Sequence, residues 1–241
     1  MAQHRHVATQ PTRGALMSYF QHSAKAIPRF LIINPNTNQH LTHNIRKVIN
    51  SSAPQGVMAV VTNPTHGPYS IETAQDKAEA TQQVLALIET HKNEGISGYI
   101  MACFDDLAVS EIRALTQTPA ISLAEAGIRS AAAGGLMTVI TTFLDAVPTI
   151  EALSASYGLS ERCRVVATGI GVADTAAQTE IAEIRLHQAM QEAIELNSAA
   201  IVLGSGAFAG RAQALSARYS IDVTDGFVAA LDYVIQKAQQ K

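Results

Sequence analysis

What most limits how this chain can fold is a series of short apolar runs separated by longer amphipathic ones. Read as strands, the runs are Arg29–Asn34, Val57–Thr62, Gly98–Cys103, Pro119–Leu123, Leu136–Thr141, Arg164–Gly169, Ala199–Gly204 and Ser220–Val223. The stretches between them carry helical spacing. In 39–52, Leu41, Ile45, Val48 and Ile49 share one face at i, i+4, i+7 and i+8. Residues 71–91, 174–197 and 225–239 read the same way. A strand that is apolar at successive positions is buried on both faces, and strand–helix alternation builds parallel sheets with right-handed crossovers. The class is α/β.

The runs also pair off into two sets of four, offset by about one hundred residues. The segment from Arg29 to Asn36 matches Leu136–Thr142, and the segment from Thr118 to Ser122 matches Tyr219–Val223. Between these lie Gly98–Cys103 and Ala199–Gly204, the first ending on a thiol and the second leading to the hydroxyl of Ser205. This repeat predicts two similar Rossmann-like (flavodoxin-like) subdomains, each with a four-stranded parallel sheet, related by a pseudo-twofold. The expected partition is an N-terminal extension (1–28), a first subdomain (29–122 plus 220–241) and a second (123–219). Open parallel sheets bind ligands beyond the carboxyl ends of their strands. Two such sheets facing each other would enclose one site between Cys103 and Ser205.

Composition narrows the function. A hydrophobic share of 47% supplies a sizeable core, and a net charge of −3 without charged blocks gives no footing for nucleic acid or a membrane surface. No apolar run approaches the roughly 20 residues of a spanning helix. Two cysteines make no disulfide framework, which fits a reducing cytoplasm. The first 28 residues hold Arg5, Arg13 and Lys25 but no acidic residue, and an extension of this kind, held by a neighbouring subunit, suggests a homo-oligomer.

Cys103 is the foremost candidate for chemistry, as general base or nucleophile. It precedes a helix whose first turn is expected to include Asp105 and Asp106, and the amides there would favour a thiolate. Asn36, in the Asn34-Pro-Asn-Thr-Asn38 loop, has an amide suited to a ligand carbonyl. The Gly67–Glu72 turn is expected to place Tyr69 or Ser70 over the cleft, and Thr141 and Thr142 to present hydroxyls. Ser205-Gly206-Ala207 is expected to open a helix whose amides suit an oxyanion or enolate. Cys163 reads as incidental. His40 and His43 lack further ligands at metal-binding spacing and read as a solvated helix face. There is no phosphate-binding glycine loop, and no cofactor is implied.

Taken together in order, Ile33-Asn-Pro-Asn-Thr37, Gly67-Pro-Tyr-Ser-Ile-Glu72, Ala102-Cys-Phe-Asp-Asp106, Glu125-Ala126, Thr141-Thr142, Leu203-Gly-Ser-Gly206 and Asp225-Gly226 resemble the aspartate/glutamate racemase superfamily, and within it the hydantoin and allantoin racemase branch. The resemblance covers nearly everything from Arg29 onward. It implies a cofactor-independent racemase of a small molecule in which two facing cysteines abstract and return a proton. Asn36, Thr141, Thr142 and the amides around Phe104, Asp105, Gly206 and Ala207 would hold the substrate. The family's second cysteine falls on Ser205, a far weaker acid than a thiol. Three explanations stand open: an introduced substitution that blocks turnover, a natural one-base enzyme such as a decarboxylase of malonate-like acids, or a hydrolase or isomerase with Cys103 as nucleophile. A binding protein that has lost half its catalytic pair is a further reading.

Overall fold

A computed structural model describes residues 27–240. The expected extension lies outside the described residues apart from Ile27 and Pro28. Strands β1 (Arg29–Ile33), β2 (Met58–Thr62), β3 (Ile96–Met101) and β4 (Ala120–Ser122) form one parallel sheet in the order β2-β1-β3-β4. Strands β5 (Met137–Thr141), β6 (Cys163–Ala167), β7 (Ala200–Leu203) and β8 (Asp222–Thr224) form a second, in the order β6-β5-β7-β8. The second order is the first with every strand advanced by four, so the repeat in sequence is a repeat in topology.

The crossovers run through α1 (Gln39–Ser52), α2 (Ala74–His91), α3 (Val109–Thr116), α4 (Leu123–Ala131), α5 (Ala146–Ser156), α6 (Val172–Ala177), α7 (Glu180–Glu195) and α8 (Ala212–Tyr219), and the chain closes on α9 (Phe227–Gln239). Helix α1 spans the expected residues. Helix α2 starts later than periodicity suggests because Thr73 caps it. The Thr73 hydroxyl accepts from the Asp76 amide (3.1 Å), while the Asp76 carboxylate accepts from the Thr73 amide (2.8 Å). These bonds hold the Asp76 carboxyl below its ordinary pKa, the Thr73 contacts being the largest cause. The single helix expected over 174–197 is two. Gln178 turns into the left-handed region at φ 54°, and Thr179 caps the new start.

The central strands of each sheet are buried on both faces, and the alternation of side chains decides where each residue goes. Phe30 and Ile32 of β1 join Val139 of β5 and Val202 of β7 in one core shared by the two halves. Leu31 and Ile33 face the opposite way into a cluster with Val84 and Ile88 of α2. Ile140, Ile201 and Leu203 do the same against Leu186 and Met190 of α7. The expected boundary at residue 220 is corrected. Strand β8 pairs with β7, so 222–224 belong to the second sheet. The return to the first sheet comes only with α9, which packs on β3, β4 and α4.

That return depends on Gly226. It sits at φ +79°, and a Cβ there would lie 2.7 Å from the Leu123 carbonyl oxygen, a backbone atom that cannot swing aside. Gly226→Ala is expected to cost roughly 2–4 kcal/mol, combining left-handed strain with overpacking. Gly56, at φ +86° with nothing within 4 Å of its Cβ position, isolates the strain. Gly56→Ala should cost about 1–2 kcal/mol. Urea melts of the two variants check this, and equal losses would show that the contact with Leu123 carries no weight.

Candidate active site

Equivalent hydrogen bonds close the two central strands. The Ala102 amide donates to the Ile33 carbonyl (2.8 Å), and the Gly204 amide donates to the Ile140 carbonyl (2.7 Å). The next residue in each half is therefore the structural counterpart of the other: Cys103 on one side and Ser205 on the other. The two strand ends approach closely, since a Cβ added to Gly206 would lie 3.0 Å from the Ala102 carbonyl oxygen. Cys103 and Ser205 line one cavity, together with Asn36, Phe104, Asp105, Thr141, Thr142, Gly206 and Ala207.

The loop after β1 presents a defined chemical end to this cavity. The Asn34 side-chain amide donates to Asn36 Oδ1 (2.9 Å), and the Asn38 backbone amide donates to the same oxygen (3.0 Å). Two donors on one oxygen settle the orientation of the amide, leaving Asn36 Nδ2 as a donor for a ligand. Across the cleft, the Thr141 hydroxyl donates to the Gly204 carbonyl (3.2 Å), tying β5 to the Ser205 turn. Ser205 caps a short 3-10 turn, Gly206–Phe208, where a helix opening was expected. Its hydroxyl oxygen accepts from the Ala207 amide (3.2 Å), so Ala207 N–H serves the serine, and Gly206 is the remaining amide at that tip.

The thiol's surroundings differ from those expected. Helix α3 does not begin until Val109, after Ala108 at φ 60°, so Asp105 and Asp106 lie in the preceding turn and Cys103 is not at the helix N-terminus. Burial pushes the Cys103 thiol up to about 12, and the neighbouring Asp105 carboxylate adds to the rise. The Lys77 ammonium and the backbone amides of Phe104 and Asp105 oppose it without offsetting it. Those two amides thus act on the sulfur. Asp106 turns away to accept from the Ser122 hydroxyl (2.5 Å), whose oxygen in turn caps α4 through the Glu125 amide (3.0 Å).

Two expectations are corrected. Neither Tyr69 nor Ser70 lines the cavity: Thr37 holds the Pro68 carbonyl through its amide (3.0 Å) and hydroxyl (3.2 Å), and the turn carries the Tyr69 ring into solvent. The same turn delivers Ile71 and Glu72 to the cavity instead. His40 is more than a solvated face residue, since its Nε2 lies 3.2 Å from the Ala176 carbonyl of the other half. Cys163 is buried on β6 away from the cleft. Among the described residues no group of three or more His, Cys, Asp or Glu is disposed to hold a metal ion, and no helix is long and apolar enough to cross a membrane.

Sequence reading did not single out Glu72, Lys77, Asp145 or Thr149, all of which line the cavity. Glu72 accepts from the Val172 amide of the second half (3.0 Å). Lys77 pairs with Asp105 (2.7 Å) and donates to the Thr149 hydroxyl (3.4 Å). For Glu72 the signal was its place at the end of the Gly67–Glu72 stretch, and for Lys77 it was the Thr73–Asp76 capping pattern, which puts Lys77 in the first turns of its helix. The lining contains three carboxylates (Glu72, Asp105, Asp145) and one ammonium, Lys77. It is therefore ill suited to a dianion.

A double α/β fold with one small cavity between equivalent strand ends, offering a thiol, a hydroxyl and aimed amides, defines a small-molecule enzyme. The profile of the family described as Asp/Glu/Hydantoin racemase matches residues 30–234. The chain is 30% identical to a hydantoin racemase of Pseudomonas sp. (strain NS671) over 84% of its own length and 82% of that protein. It is 30% identical to a hydantoin racemase of Rhizobium meliloti over 83% and 84% of the two chains. Its fold superposes on an allantoin racemase from Klebsiella pneumoniae with a TM-score of 0.84, at 29% identity and covering 88% of each chain. The chain belongs to the Asp/Glu/hydantoin racemase family. It is an isomerase of the racemase type.

Proposed function

We propose that the enzyme racemises a hydantoin-type compound, a 5-substituted hydantoin or allantoin, with Cys103 as acid/base on one face of the stereogenic carbon and Ser205 on the other. The observation that supports this most directly is that topologically equivalent strand ends bring the thiol and the hydroxyl to one cavity. In a hydantoin the carbon to be deprotonated is already acidified by its ring carbonyl. The protein has to orient the ring and stabilise the developing oxyanion. Asn36 Nδ2 and the Gly206 amide are the donors for that oxygen. Cys103 removes the proton, and the Ser205 hydroxyl returns one from the opposite face. A malonate-like dianion would meet three carboxylates in the same cavity, which argues against decarboxylation. Incubation with one enantiomer of an alkylhydantoin and of allantoin in deuterated water tests the reading. C5–H exchange well above the enzyme-free rate is expected, and no acceleration for either would overturn it.

The thiol's burial also sets a pH dependence. The base is the thiolate, and a pKa raised to about 12 leaves it a small minority at neutral pH. Each pH unit toward that pKa multiplies the thiolate fraction by about ten. Exchange measured as kcat/KM, which reports the free enzyme, should therefore rise close to ten-fold per unit from about pH 6 to 8 without levelling. A plateau in that window would show that the thiolate is better stabilised than its burial allows.

A further inference from the structure

Part of the cavity lining is an ion pair and a hydroxyl to which the racemisation reading assigns no contact with the substrate. Lys77 comes from α2 of the first half, Asp105 from the turn after Cys103, and Thr149 from α5 of the second half. Lys77 Nζ lies 2.7 Å from Asp105 Oδ2 and 3.4 Å from Thr149 Oγ1, and all three residues line the cavity. The Asp105 side chain is 20% exposed and that of Lys77 36%, so both still touch solvent through the cleft. A substituent on C5 of the substrate that reached this wall would displace that water.

What it displaces the water with decides whether it is welcome. An alkyl or aryl group would strip both charges of solvent and return nothing, which is costly for charged groups in a closed site. A carboxylate would gain Lys77 but face Asp105 beside it and Glu72 and Asp145 elsewhere in the lining. A neutral group with an N–H next to a carbonyl satisfies both partners: its oxygen accepts from Lys77, and its N–H donates to Asp105. The geometry points to a side-chain subsite formed by Lys77, Asp105 and Thr149 that selects hydantoins whose C5 substituent ends in a carbamoyl or ureido group. This inference rests on the hydantoin reading above and narrows it to one substrate class.

Three hydantoins of nearly equal shape test it: 5-carbamoylmethyl, 5-isobutyl and 5-carboxymethyl, with the 5-ureido compound as a fourth. The readout is kcat/KM for C5–H exchange, divided by each compound's own uncatalysed rate. The carbamoylmethyl and ureido compounds should exceed isobutyl by about 10-fold or more, in line with a site whose polar groups go unpaired against an apolar analogue. Lys77→Met should reduce that ratio at least several-fold, and Lys77→Arg should keep most of it. The ratio is the right quantity because Lys77 also supports the Cys103 thiolate, and loss of that support lowers every substrate alike. Asp105→Asn should raise carboxymethyl relative to carbamoylmethyl. Exchange that favours isobutyl, or a preference untouched by Lys77→Met, would overturn the subsite while leaving the racemase reading intact. Exchange of none of the four compounds would overturn both.

Discussion

Ser205→Cys is expected to raise the rate of racemisation by about 100-fold while leaving deuterium wash-in with retention nearly unchanged. The argument starts from the asymmetry of the two acid/base groups. Removal of the proton on the Cys103 face and its return from the same side require only the thiol, so in deuterated water the substrate exchanges C5–H with its configuration kept. Inversion requires a proton from the Ser205 face. There the donor is a hydroxyl whose oxygen already accepts from the Ala207 amide. A serine hydroxyl is a far weaker acid than a thiol (~8.5 for Cys), and a well-matched general acid is typically worth about 10²–10⁴ in rate. Wild-type enzyme should thus wash in deuterium faster than it inverts. A thiol at 205 should bring the two rates together. NMR follows the exchange and chiral chromatography the inversion, on the same sample. Equal rates in the wild type would mean that the hydroxyl, or another group, delivers protons as well as a thiol does.

Cys103→Ala is expected to remove at least about 10³-fold of the exchange, by both faces, because deprotonation is common to retention and inversion. The substitution leaves a small void in a half-buried position at a strand end. The fold should survive, which a thermal melt in parallel would verify. Cys103→Ser is the sharper companion: it keeps the size and a hydroxyl, and it should be nearly as inactive if ionisation of sulfur is what matters. Exchange that persists in Cys103→Ala would transfer the base to another cavity residue, with Asp105 and Glu72 next in line.

Much of this molecule was legible in its residues. The β1 run is apolar at the successive positions Phe30–Ile33 because both faces of that strand are covered there. The correspondence of the Cys103 and Ser205 segments was equally visible, and the matching Ala102–Ile33 and Gly204–Ile140 hydrogen bonds give it a physical basis. Asn36, Thr141 and Thr142 sit where a parallel sheet always exposes its strand ends.

Other parts were not legible, for reasons that differ. The break at Gln178 rests on one residue's left-handed backbone inside an otherwise continuous helical period, and periodicity does not register a single torsion. Tyr69 was expected over the cleft because turn sequences do not state which side of the turn faces inward; the bonds from Thr37 to Pro68 decide it.

Local patterning determined the strands and most of the helices, because these depend on periods of two and 3.6 residues that any short window contains; their alternation gave the parallel class, and their offset of about one hundred residues the two-fold repetition. Tertiary structure decided the rest. It set Lys77 against Asp105 and Thr149, pushed the Cys103 thiol upward by burial, and gave β8 to the second sheet and α9 to the first. Each of these depends on contacts between residues far apart in the chain, and such distances are fixed by packing that no local pattern encodes.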